Sequence, residues 1–225
     1  MHTIDQLLKS RLIHRGRDLA PPGTLQPSGF TPLDQLLGGG FPRVGVCRIR
    51  STPGIGELRL LLPCLLSETA KLSVFISPPG SAYPDFWQAR GVAAEQLLSI
   101  ETQSVPQKLW TARECLQSGC CNAVILWQEA IRLSDVKRLQ LAAAKGQSCL
   151  WIMQAQPTTL SLPLTLSLRL QARAKGLEVS ITKRKGGWPA GPVCIGWQQL
   201  WPDLALSSAI PNNSRPLQPH HLQSI

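Results

Sequence analysis

The stretch Val44-Gly45-Val46-Cys47-Arg48-Ile49-Arg50-Ser51-Thr52-Pro53-Gly54-Ile55-Gly56-Glu57-Leu58-Arg59-Leu60-Leu61-Leu62 decides the fold. Val44 to Arg50 reads as a strand, the glycines as a turn, and Gly56 to Thr69 as a helix. A strand that ends in a glycine-bearing turn and opens a helix is where a phosphate-binding loop sits. The pattern G-x-x-x-x-G-K-[ST] is met here only at Gly56. Glu57 stands where a lysine would reach the phosphates, and Leu58 where a hydroxyl would hold magnesium. Pro53 removes one backbone N–H from the nest. Ser51, Gly54, Gly56, Glu57 and Leu58 are therefore a degenerate loop. At that position Glu57 complements the positive end of the helix dipole, which is a structural use of the place.

Outward from this junction, strand and helix signals alternate. Leu72 to Ser77 is a strand, Pro84 to Arg90 a helix, and Leu98 to Glu101 a strand. Ser104 and Pro106 open a helix to about Gln117 that Gly119 closes, and Ala123 to Trp127 is a short apolar run suited to a strand buried on both faces. Ser134 caps a helix to Lys145, Gly146 stops it, and Cys149 to Met153 is another buried strand. Such alternation predicts parallel strands crossed over by helices. Upstream, Thr31-Pro32 opens a helix that ends at Gly38.

Beyond Met153 the period changes to two. Leu164, Leu166, Leu168, Leu170 and Ala172 alternate with polar residues, as do Leu177, Val179 and Ile181, and Val193 to Trp197 returns after the turn at Gly186-Gly187-Trp188-Pro189. An antiparallel extension with one wet face is predicted. The fold class is thus α/β, a mostly parallel central sheet flanked by helices with an antiparallel C-terminal extension. Residues 1–27 form an N-terminal helix (Thr3 to Leu12) and linker, 28–200 the domain, and 201–225 a flexible tail.

The whole chain has 225 residues, 43% of them hydrophobic and 16% charged, enough to bury a core without disulfides or metals. Its net charge of +10 suits an acidic partner such as nucleic acid, or is simply a soluble basic surface. The seven cysteines are odd in number, form no CxxC pair and lie mostly in apolar stretches, so they read as reduced packing residues. His2, His14, His220 and His221 all sit near the ends, which argues against zinc. No apolar run suits a spanning helix or a signal peptide, so no membrane is expected and the predicted address is the cytoplasm.

Other catalytic parts are missing. The strand Ala123 to Leu126 runs into Trp127-Gln128 where a magnesium-binding aspartate would be expected, with Glu129 the nearest carboxylate. Pro78-Pro79 follows the strand where an activating glutamate could stand. With no central histidine and no G-x-S-x-G, hydrolytic triads lack components as well. The expectation is no enzymatic activity, no cofactor and no metal.

Ser28-Gly29-Phe30-Thr31-Pro32-Leu33-Asp34-Gln35-Leu36-Leu37-Gly38-Gly39-Gly40-Phe41-Pro42-Arg43-Val44-Gly45 and the order of elements resemble the RecA-type ATPase core. Closer is a resemblance to the ImuA family of translesion-synthesis accessory proteins, also described as SulA-like. It rests on Arg15-Gly16-Arg17-Asp18-Leu19-Ala20, Pro53-Gly54-Ile55-Gly56-Glu57-Leu58-Arg59-Leu60-Leu61-Leu62-Pro63, Arg138-Leu139-Gln140-Leu141-Ala142-Ala143 and Lys183-Arg184-Lys185-Gly186-Gly187, spread over residues 15 to about 197. The resemblance implies a RecA-like fold without its nucleotide site, acting as an adaptor in the bacterial response to DNA damage. Implied partners are ImuB, an inactive Y-family polymerase relative, together with RecA and an error-prone C-family DNA polymerase. The alternative it leaves open is a SulA-type division inhibitor that binds FtsZ.

Lys183, Arg184 and Lys185 with Trp188 make a basic hairpin tip that could contact phosphates and stack a base. Arg169 and Arg173 on the neighbouring strand, and Lys175 beyond, extend that region. The competing reading is a charged, solvated edge guarded against sheet-to-sheet pairing. Trp127 and Trp151 read as core, and Trp197 and Trp201 as the root of a tail that could order on a partner.

Overall fold

The computed structural model describes residues 25–66, 70–80, 87–156 and 161–202. The predicted N-terminal helix and most of the tail lie outside these residues, as do Pro84 to Phe86 of the predicted helix at Pro84 to Arg90, of which Trp87 and Gln88 are helical and Ala89 and Arg90 form a turn. The described elements run β1 (Leu25–Gln26), α1 (Thr31–Leu37), β2 (Phe41–Pro42), β3 (Gly45–Arg50), α2 (Glu57–Leu66), β4 (Leu72–Ile76), β5 (Leu97–Ile100), α3 (Val105–Gln117), β6 (Cys121–Trp127), α4 (Leu133–Gly146), β7 (Cys149–Gln154), β8 (Leu166–Arg173), β9 (Gly176–Arg184), β10 (Ala190–Gly196) and α5 (Trp197–Leu200).

One eight-stranded sheet has the order β10-β9-β8-β3-β7-β6-β4-β5. β8, β3, β7, β6, β4 and β5 are mutually parallel, and β9 and β10 continue antiparallel from β8. The sequence puts the change to an antiparallel extension at the strand from Leu164, but β8 still pairs parallel with β3 and the change falls one strand later, between β8 and β9. A separate two-stranded pair, β1 with β2, was too short for any periodicity to reveal.

Two apolar clusters sandwich the sheet. Cys47 and Ile49 of β3 join Leu33 and Leu37 of α1 and Leu60, Leu61 and Leu65 of α2 on one face, with Trp151 fully buried and edge-on to Phe41 at 5.1 Å. Val46 belongs to the other face, with Leu116 of α3 and Val136, Leu139 and Ala143 of α4. The strict alternation along β3 follows from the pleat. It carries Arg48 and Arg50 onto the α3–α4 face.

Helix ends differ in detail from the sequence reading. Thr31 is the first helical residue and Phe30 the N-cap, while Gly38 does end α1 in the left-handed region at φ 72°. Ser104 caps α3, its hydroxyl accepting the Gln107 N–H at 3.4 Å. α4 begins one residue before Ser134, and Gly146 lies inside it. There a Cβ would stand 1.9 Å from the Leu116 carbonyl oxygen, so close packing on α3 explains that glycine, and Gln147 makes the left-handed stop at φ 51°. The cysteines are all free, but only Cys47, Cys64, Cys121 and Cys149 are buried. Cys115 is half-buried and Cys120 and Cys194 are exposed, because they fall in a helix flank, a turn and an edge strand.

Candidate functional site

The degenerate loop joins the C-terminal end of β3 to α2, where the parallel strands of an open α/β sheet present their binding crevice. Gly54 and Gly56 take φ of +83° and +107°, which turns the backbone N–H groups of the loop inward. The side chain of Glu57 folds back into that concavity. Its Oε1 accepts the Gly54 N–H at 2.8 Å and its Oε2 the Gly56 N–H at 3.1 Å, and the residue is only 6% exposed. The chain thus supplies its own anion to a nest that phosphate would otherwise occupy. A phosphate entering there would have to expel a carboxylate held by two charge-assisted hydrogen bonds.

A strap lies over the same loop. A Cβ on Gly56 would come within 2.6 Å of Leu200 Cδ2, so Leu200 of α5 sits directly on the turn. Arg59, one turn into α2, donates through Nη1 to the Leu200 carbonyl at 3.3 Å and stacks its guanidinium 3.8 Å from the Trp201 ring centroid. Trp201, read from sequence as the first residue of a tail, is packed against the domain by this contact.

Beside the loop is a cavity of about 350 Å³ lined chiefly by Pro53, Leu58, Phe75, Trp87, Trp127 and Trp201, with Pro78 and Pro79 at its edge. Phe75 lies 5.4 Å from Trp87 and 6.1 Å from Trp127. Glu57 is the one carboxylate among the described residues of its wall. Trp127 is half-buried here, whereas Trp151 is core as predicted. Glu129, the nearest carboxylate after β6, turns away and binds the backbone N–H groups of Ala155 and Gln156 at 2.9 and 3.0 Å. The end of β6, where the sequence lacks the expected aspartate, thus contributes Trp127 to an aromatic wall, and the neighbouring carboxylate Glu129 ties two loops together.

Some side chains of the basic hairpin are engaged in hydrogen bonds. Lys183 donates to the Leu162 carbonyl, Arg184 Nη1 donates to the Leu36 carbonyl at 3.2 Å, and Arg173 pairs with Glu178 at 3.0 Å. Lys185, Trp188, Arg169 and Lys175 are exposed, Trp188 to 82%. Sequence reasoning did not single out Arg48, which is 7% exposed in the middle of the sheet. The available signal was a charged residue inside a strand expected to be covered on both faces.

The strand order, the helices on both faces and the loop after β3 define a RecA-like α/β core. No protein-family model matches the chain. It is similar to the RecA protein of Mycolicibacterium gilvum, 27% identical over 143 residues covering 62% of this chain and 40% of that protein. It is also similar to RecA of Corynebacterium aurimucosum, 27% identical over 121 residues covering 52% of this chain and 32% of that one. The matched region is thus less than half the length of these relatives. Among solved structures, SulA from Pseudomonas aeruginosa aligns with a TM-score of 0.42 and 23% identity, over 49% of this chain and 98% of that one.

Proposed function

We propose that this chain is a non-catalytic RecA-like adaptor in SOS-induced translesion DNA synthesis and mutagenesis, working in the cytoplasm. Its partners on this reading are an ImuB-like inactive Y-family polymerase, RecA and an error-prone C-family DNA polymerase. One observation carries the reading: a core similar to an ATPase keeps its scaffold while Glu57 fills the phosphate nest from within. Without the lysine, the hydroxyl and a carboxylate free to hold magnesium, the terms that drive phosphoryl transfer have no residues to supply them. What such a scaffold offers is its surface, including exposed Trp110 and Trp188 of the kind that anchor protein interfaces.

The test is co-purification of the tagged full-length chain from DNA-damaged cells, with partners identified by mass. Recovery of a Y-family-like protein or RecA is expected. Recovery of FtsZ alone would replace the adaptor with a division inhibitor.

A further inference from the structure

Arg48 lies on the central strand β3 and is 7% exposed, yet among the described residues no carboxylate bonds to it. Its Nε donates to Ser167 Oγ at 3.1 Å, and the Thr182 hydroxyl bonds to the same Ser167 oxygen at 2.8 Å and to the Ser167 carbonyl at 3.0 Å. That hydroxyl pair fixes one edge of the guanidinium and offers nothing to the other. Among the described residues Arg48 Nη1 is buried without an acceptor, and so is Nε of Arg50, two residues further along the same face. Across β8 the register sets Ser167 beside Arg48 and Arg169 beside Arg50, and Arg169 is exposed. Burial and the neighbouring Arg50 charge both push the Arg48 pKa down, the direction expected of cations gathered without a counter-charge.

Uncompensated buried cations are strongly disfavoured, and deleting nearby positive charge or adding an anion relieves them. We propose that Arg48, Arg50 and Arg169 form a binding site for a phosphate-type oxyanion, with Arg48 at its floor and Arg169 at its mouth. Guanidinium forks match the oxygens of a phosphoryl group. A group carrying close to two negative charges balances both Arg48 and Arg50, whereas a single carboxylate leaves one uncompensated. The site is separate from the nest at Glu57: β3 sends Cys47 and Ile49 to the α2 face and these arginines to the opposite one. The phosphoryl group can come from a free phosphate, which carries both charges itself, or from a nucleic-acid backbone, whose diesters carry one charge each and supply the second from a neighbouring phosphate.

The full-length chain is titrated with sodium phosphate against sodium chloride at matched ionic strength, with thermal unfolding as the readout. A phosphate-specific rise in Tm is expected for the wild type and for Lys145→Gln, a control at an exposed lysine in the last turn of α4. Arg48→Met and Arg50→Gln should each weaken the phosphate response about tenfold or more, the scale of one lost charge-assisted contact. Arg50 is only half-buried, so Arg50→Gln keeps the test decisive if Arg48→Met does not fold. Fluorescence anisotropy with a labelled oligodeoxythymidylate then separates the sources. Binding that phosphate displaces and Arg50→Gln weakens assigns the backbone; oligonucleotide binding that is absent or indifferent to Arg50→Gln assigns free phosphate. A wild type that responds to phosphate no more than to chloride, or an undiminished response in Arg50→Gln, overturns the site.

Discussion

Two charged side chains stand within one strand and one turn of each other and are treated in opposite ways. Glu57 is a buried anion whose two oxygens are both met by backbone N–H groups of its own loop. Arg48 is a buried cation met on one edge by a serine hydroxyl and left, among the described residues, without an acceptor on Nη1. The first arrangement is closed, because the ligand is part of the chain, and the second is open, because its counter-charge must come from elsewhere. A functional site is better read from such unfilled hydrogen-bonding capacity than from its distance to an ancestral motif.

The largest effect expected from breaking this contrast is at Glu57. Glu57→Ala strands two N–H groups under Leu200 and should lower stability by about 3 kcal/mol, on the scale of two hydrogen bonds to a charged group, as read by urea unfolding. Gly56→Ala should follow at about 2 kcal/mol, since φ +107° is strained for alanine and the new methyl collides with Leu200. Arg48→Met has the opposite sign. In phosphate-free buffer it should leave stability unchanged or raise it by about 1 kcal/mol, because an unpaired buried charge is replaced by an apolar chain of similar length. Trp201→Ala, which removes the stack on Arg59, should cost about 1 kcal/mol and increase proteolysis after Leu200. Equal destabilisation by Glu57→Ala and Arg48→Met would erase the distinction between a closed and an open charge.

Much of the fold was legible because its signals are periodic. Apolar runs such as Ala123 to Trp127 and Cys149 to Met153 announce strands covered on both faces, and the alternation from Leu164 onward announces the antiparallel edge. The site was legible only in what it lacks. That Glu57 replaces a lysine is visible in sequence; that its carboxylate turns back onto Gly54 and Gly56 depends on two left-handed glycine torsions and on a strap from residues some 140 positions away. Trp201 reads from sequence as the root of a tail that could order on a partner; its packing on the domain is hidden because its partner Arg59 is remote in sequence. In the basic hairpin Lys183, Arg184 and Lys185 are adjacent in sequence, and the first two also donate to the carbonyls of Leu162 and Leu36, contacts that adjacency does not announce. Arg48 and Arg169 are far apart in sequence and meet through the parallel pairing of β3 with β8.

Closure of the phosphate nest by the chain's own carboxylate is probed by calorimetric titration of the full-length wild type with magnesium-ATP, beside Gly56→Ala. No heat assignable to one site at the nest is expected. Stoichiometric magnesium-ATP binding that Gly56→Ala abolishes would contradict that closure.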